Sequence, residues 1–266
     1  EQAAQSALQT LGKPALPLQE AVAQVAAQGA WGVLMRVLPN DAVREVVVSL
    51  GTPAVPHLIQ ALGDRSVRVA ACEALGRIGD KQAVPHLIKA LGDRSVRVKA
   101  CEALERIGKP AVPPLIQALR DSDRGVRVAA CEALGAIGDR KAVPHLIQAL
   151  RDSEVGVRVA ACEALVKIGK PAVPHLIQAL GDSDVRVAAC EALGWIGDAQ
   201  AVPHLIQALR DSDWWVRWAA CLALGRIGDV QAVPHLSQAL RDWDWGVREA
   251  AQEAIRQIRA KQSEGK

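Results

Sequence analysis

Three sets of residues in this chain have side chains able to do chemistry, and each recurs at a near-constant spacing. The first is cysteine. Cys72, Cys101, Cys131, Cys162, Cys190 and Cys221 follow one another at intervals of 28–31 residues. Zinc sites draw on close pairs such as C-x2-C, and no such pair occurs. A disulfide needs Cα atoms within about 7 Å, whereas equivalent positions in stacked helical layers stand about 8–10 Å apart. The spacing therefore predicts six reduced thiols acting as small apolar fillers.

Histidine forms a second ladder: His57, His86, His145, His175, His204 and His235, with Pro114 standing in one place. Each follows a proline and precedes a leucine, with no neighbouring carboxylate to orient it. A catalytic imidazole is held in one tautomer by such a partner, so these read as polar, half-exposed residues at helix starts. Gly-rich phosphate loops, a G-x-S-x-G elbow and paired carboxylates are all missing from the sequence. No catalytic residue, metal ligand or cofactor is predicted.

Tryptophan is distributed differently. Trp214, Trp218, Leu222 and Arg226 are spaced by four and share one helical stripe. Elsewhere the middle of that stripe reads Val then Glu, as at Val128 and Glu132 or Val159 and Glu163. Trp195 stands at the place of Arg226 in the preceding repeat, Trp245 at the place of Trp214 in the next, and Trp215 and Trp243 lie in adjacent turns. A helical wheel puts the stripe opposite the core face, and exposed aromatic clusters with arginine mark contact sites. The competing expectation is that the rings fill grooves between repeats. Trp31, alone near the N-terminus, is expected in the core.

These residues are positioned by a repeat. The segment A-V-P-H-L-I-Q-A-L begins, with small changes, at Ala54, Ala83, Ala111, Ala142, Ala172, Ala201 and Ala232. A short linker follows each, then a version of V-R-V-A-A-C-E-A-L-G-x-I-G. Pro85, Pro144 and Pro203 mark the start of a first helix, where a missing N–H is harmless. From Val216, residues Ala219, Ala220, Ala223, Leu224 and Ile227 form the apolar face of a second helix, which Gly228 ends. Two short helices cannot bury their faces alone, so the repeats must stack. Linkers are two residues shorter at Gly63–Ser66, Gly92–Ser95 and Gly181–Asp184, and the G-K-P connections at Gly108 and Gly169 are one shorter.

Composition agrees. Half the 266 residues are hydrophobic, yet there is no Phe, no Tyr and one Met, so Ala, Val, Leu and Ile must do the packing. Net charge is +3, too small to indicate nucleic acid or an anionic membrane, and the Glu ladder opposes nucleic acid further. No apolar run approaches the ~20 residues of a membrane span, and no signal peptide is evident, which makes the cytoplasm the expected compartment. The chain opens on Glu1 without Met, which reads as a fragment or processed product.

The Asp-x-x-x-Arg spacing (Asp123 to Arg127, Asp213 to Arg217) together with A-L-G-x-I-G-D resembles HEAT-like repeats. The resemblance is strong over 52–258 and weak over the first fifty residues. It is similar in particular to the short bacterial kind found in phycobilin lyase subunits, and to artificial helical-repeat binders. The resemblance implies an all-α, right-handed superhelical solenoid of seven to eight two-helix repeats with the second helices on its concave side. It also implies that these Asp and Arg residues link one repeat to the next. Residues 1–51 read as a divergent cap, on the match of Gly12–Ala15 to other G-K-P-A segments and of Val43–Leu50 to a second helix. Residues 52–258 form the array and 259–266 a frayed tail, in one continuous solenoid. HEAT-repeat hydroxylases hold iron with His-Glu motifs; His-Leu stands here, so that activity does not carry over. The expected function is a non-catalytic scaffold binding a protein partner through Trp195, Trp214, Trp215, Trp218, Leu222, Arg226, Trp243 and Trp245. The alternative is a lyase-like subunit handling a tetrapyrrole, for which no acid, base or nucleophile is visible.

Overall fold

The computed structural model describes residues 18–264, which form seventeen α-helices and no strand. The fold is all-α, as the repeat predicts. The chain divides into two compact units, residues 1–137 and 138–266. In the first lie α1 (Leu18–Ala27), α2 (Trp31–Arg36), α3 (Asp41–Ser49), α4 (Val55–Ala61), α5 (Arg68–Ile78), α6 (Val84–Ala90), α7 (Arg97–Ile107), α8 (Val112–Ala118) and α9 (Arg124–Ile137). The second holds α10 (Val143–Ala149), α11 (Val155–Ile168), α12 (Val173–Ala179), α13 (Arg186–Ile196), α14 (Val202–Ala208), α15 (Trp214–Ile227), α16 (Val233–Ala239) and α17 (Trp245–Glu264). The G-K-P-A match at Gly12–Ala15 lies outside the described residues.

Each first helix is seven residues long and opens on a three-residue 3-10 turn, with its proline in the first turn. An aspartate supplies the turn's cap where the sequence allows: Asp198 accepts from the Gln200 N–H, and Asp229 from the Gln231 N–H. In the shorter G-K-P connection the aspartate is gone and one glycine joins the two helices. Gly169 does so at φ 74°, ψ −136°, a conformation that side chains with a Cβ avoid. Val143, Leu146 and Ala149 of α10 are buried, as are Val55, Leu58 and Ala61 of α4 and Val173, Leu176 and Ala179 of α12.

Linker length sets the length of the second helix. After the short linkers it begins at its arginine (Arg68, Arg97, Arg186) and runs 11 residues. After the long ones it gains a turn and runs 14 residues, as in α9, α11 and α15. Trp214 and Trp215 occupy that extra turn. The last helix, α17, continues to Glu264, so residues 259–264 extend it instead of fraying, and the Lys261 ammonium donates to the Arg226 carbonyl.

Small residues let neighbouring second helices approach closely. A Cβ placed on Gly76 would lie 2.6 Å from the Ala103 Cα; on Gly194, 2.7 Å from that of Ala223; on Gly225, 2.8 Å from that of Ala254. Only hydrogen fits there, which explains the first Gly of A-L-G-x-I-G; the second ends the helix in the left-handed conformation, as Gly228 does at φ 84°. The arginine links repeats, but not with its own motif's aspartate. Asp213 caps α15 through the Trp215 N–H at 2.9 Å. Arg217 reaches into the next repeat, donating from Nε and Nη2 to both carboxylate oxygens of Asp242 at 2.8 and 2.9 Å. Its Nη1 meanwhile donates to the Asp211 and Ser212 carbonyls. Arg68 pairs with Asp93 in the same register, and Arg186 with Asp211 at 3.3 Å, the latter leaving its Nε without a partner.

Candidate functional site

The eight predicted contact residues lie on α13, α15, α17 and the turn before α17. The structure divides them between the two ends of α15. Twelve residues separate Trp214 from Arg226, about 18 Å at the helical rise. At the N-terminal end Trp214 stacks on Trp215, with ring centroids 4.1 Å apart, and Trp215 meets Trp218 edge-on at 5.5 Å. Trp214 and Trp218 are half-buried, and their rings close over Gly246 of α17. They do not project freely from the face opposite the core: the missing side chain of Gly246 leaves a seat that an isolated helical wheel cannot show. Trp215, Trp243 and Trp245 remain 49, 76 and 68% exposed. The Arg217 guanidinium lies 5.1 Å from the Trp243 ring centroid.

At the C-terminal end Arg226 sits over the Trp195 ring, 4.1 Å from its centroid, in cation–π geometry. Trp195 is 62% exposed. Leu222 lies between the two groups, half-buried where other repeats carry Glu.

Sequence reasoning missed a second feature, a cleft of about 700 Å³ between α11 and α13. Its walls are Val155, Val159, Cys162 and Val166 on one side, and Val187, Ala188 and Trp195 on the other. Glu163, Lys167, Asp184 and Glu191 stand at its edges. Two sequence signals produce it. The short linker at Gly181–Asp184 removes the first turn of α13, leaving Val155 in the extra turn of the longer α11 exposed, while Val159 is exposed as Val69 and Val98 are in other repeats. Val166 stands at the position where Gly76, Gly194 and Gly225 admit a neighbouring helix and where α7 carries Glu105, and α11 and α13 meet over less of their length than α13 and α15 do.

Cys162 opens onto this cleft and is half-buried, whereas the other five cysteines are buried; none of the six is in a disulfide. Burial lifts the Cys162 thiol to about 11, with the Glu191 and Glu163 carboxylates adding to the shift and Arg226 opposing it. Burial likewise lifts Cys190 and Cys221 to about 12. Such thiols are poor nucleophiles at neutral pH. The ladder histidines are exposed or half-buried, and His57 stacks on the buried Trp31 with centroids 4.5 Å apart. Among the described residues, no three His, Cys, Asp or Glu side chains converge as a metal site would require. No helix among them is long and apolar enough to cross a membrane.

Comparison with known structures agrees with this architecture. Kap95p, from a structure in which it binds RanGDP, aligns with 94% of this chain and 41% of its own at 17% identity, with a TM-score of 0.53. Human deoxyhypusine hydroxylase aligns over 97% of this chain and 96% of its own, with 24% identity and a TM-score of 0.40. The CpcE–CpcF complex of phycocyanin lyase from Nostoc sp. PCC7120 covers 66% of this chain and 99% of the matched one, with 26% identity and a TM-score of 0.38. Engineered proteins are also among the structural neighbours. The curated proteins give no match. At these identities and scores the Kap95p likeness speaks for the fold and the other two decide nothing. The family model for HEAT repeats matches residues 55–115, 112–184 and 173–256, most of the sequence, and the chain belongs to the HEAT-repeat family.

Proposed function

We propose that this protein is a non-catalytic interaction module that binds a protein partner through the aromatic surface of α13, α15 and α17. The observation that supports this reading most directly is the exposure of Trp215, Trp243 and Trp245 around the N-terminal ends of α15 and α17. Large rings left in water beside a buried arginine are what protein interfaces use as anchors, and each contributes about 2 kcal/mol or more when buried by a partner. A core that uses almost no aromatics makes the cluster more telling: packing elsewhere is done by Ala, Val and Leu. Trp214 and Trp218 form the floor beneath Trp215, and Trp195 with Arg226 offers a second contact about one helix length away.

The test replaces Trp215, Trp243 and Trp245 with serine. Trp243 and Trp245 bury little and Trp215 is half covered, so the circular dichroism spectrum should stay close to wild type and the urea midpoint should fall only modestly. Capture of a partner identified by pull-down, then reconstituted from pure components, should weaken at least tenfold. Unchanged affinity for that purified partner would refute the reading. The pair Trp214→Ala and Trp218→Ala is less discriminating, because those rings also cover Gly246 and their loss should lower stability.

A further inference from the structure

The cleft between α11 and α13 has a built cause, an apolar floor and an asymmetric charge. We infer that Val166 is a spacer holding these helices apart, and that the cleft takes a short amphipathic segment of a partner protein whose apolar side chains face the valines and whose basic side chains face Glu163 and Glu191. The inference rests on the reading that the chain binds proteins, and it names the chemistry of one partner segment.

The spacer follows from a comparison within the chain. At Gly194 a Cβ would come within 2.7 Å of the next helix's backbone, and at Gly225 within 2.8 Å. Val166 occupies the same register of α11 and carries an entire isopropyl group. Close approach is therefore blocked where α13 should seat, and the missing first turn of α13 leaves the rest of the α11 wall without a neighbour. Val155, Val159 and Val166 line that wall over about 16 Å, the length of about three helical turns. Trp195 closes one end, its far face held by Arg226.

Charge selects the occupant. Glu163 and Glu191 have no ion-pair partner among the described residues, and Asp184 adds a carboxylate at the opposite end from Trp195. The three basic groups nearby are less available. Arg158 donates to the Asp152 and Ser153 carbonyls, and Arg226 covers Trp195. Lys167 alone is left at the rim. Carboxylates above an apolar floor favour lysine or arginine on a segment whose other face is apolar, the pattern of a helix laid in a groove. The raised Cys162 thiol agrees with a dry, negative floor.

The full-length chain should be titrated with a fluorescent leucine–lysine amphipathic peptide of about twelve residues, matched to the wall length. Parallel titrations use the leucine–glutamate and serine–lysine peptides. Tightest binding is expected for leucine–lysine, weaker by about tenfold or more for either control. Glu163→Gln with Glu191→Gln should weaken leucine–lysine binding about tenfold and flatten its salt dependence. Val166→Gly should also weaken it, as the helices close. Bound peptide should slow alkylation of Cys162, read by mass spectrometry, a readout independent of the variants' folding. Equal binding of the lysine and glutamate peptides, or no protection of Cys162, would overturn the inference. So would self-association of the chain through this cleft without peptide binding, or a bilin absorbance change abolished by Val166→Gly in the absence of peptide binding. The serine variant of Trp215, Trp243 and Trp245 should bind the peptide normally. If wild type ignores the peptide while that variant still loses its partner, the cleft assignment falls and the interaction surface stands.

Discussion

Arg217 shows how much one side chain can carry. It is 5% exposed, holds both oxygens of Asp242, and donates to two carbonyls of its own turn. Removing one partner of a buried pair leaves the other charge stranded, which costs about 3–5 kcal/mol. Arg217→Ala should therefore shift the urea midpoint strongly, whereas Arg151→Ala, whose pair with Asp182 is more exposed, should cost about 1 kcal/mol or less. Burial alone would raise the Asp242 carboxyl, but the Arg217 hydrogen bonds overcome this and hold it below the ordinary range. A carboxylate depressed in the folded state stabilises above its unfolded value of about 3.9 and loses that contribution as pH falls through the folded value. The stability gap between wild type and Arg217→Ala should thus be full at pH 7 and shrink below about pH 4. A gap unchanged at pH 3 would assign the effect to packing of the arginine stem. The repeat motif made this residue visible in the sequence but hid its partner, because Asp213 is nearer in the chain than Asp242 and is occupied as a helix cap.

At the scale of the helix, one position sets how closely neighbours approach at Gly76, Gly194 and Gly225. Gly194→Val would place a branched side chain against the Ala223 Cα and Cβ, backbone and buried atoms that cannot swing away. Overpacking of this kind costs about 1–3 kcal/mol. The variant should lose that amount in urea unfolding while keeping its helical content, and a structure of it should show α13 and α15 parted as α11 and α13 are. An unchanged midpoint would mean that the glycine is not what admits the neighbour. The helices themselves were legible from apolar spacing, proline and glycine, because those signals act within one repeat. The seat of Trp214 and Trp218 was not, since it depends on Gly246 one repeat further on. The cleft was half legible. Val166 and the short linker at Gly181–Asp184 stand out against their repeats, but their consequence appears only when α13 is placed beside α11.

Across the molecule, near-identical repeats make stability a sum of local pieces and nearest-neighbour contacts, so the few departures from consensus should set where the array opens first. The cysteine ladder reports this directly, with one thiol in each of six second helices. Cys190 and Cys221 lie in helices clamped by Gly194 against Ala223, Gly225 against Ala254, and Arg217 with Asp242. Cys162 lies in the helix that Val166 holds off its neighbour, and it already faces the cleft. Pulse alkylation through a urea series, read site by site, should label Cys162 at the lowest denaturant and Cys190 and Cys221 later, with Cys221 among the last. Arg217→Ala should advance Cys221 and leave Cys162 nearly unmoved, because a local clamp acts on its own neighbours. Labelling of all these thiols in a single shared transition would show instead that the repeats open cooperatively as one body, and that nearest-neighbour differences of a few kcal/mol are too small to separate them.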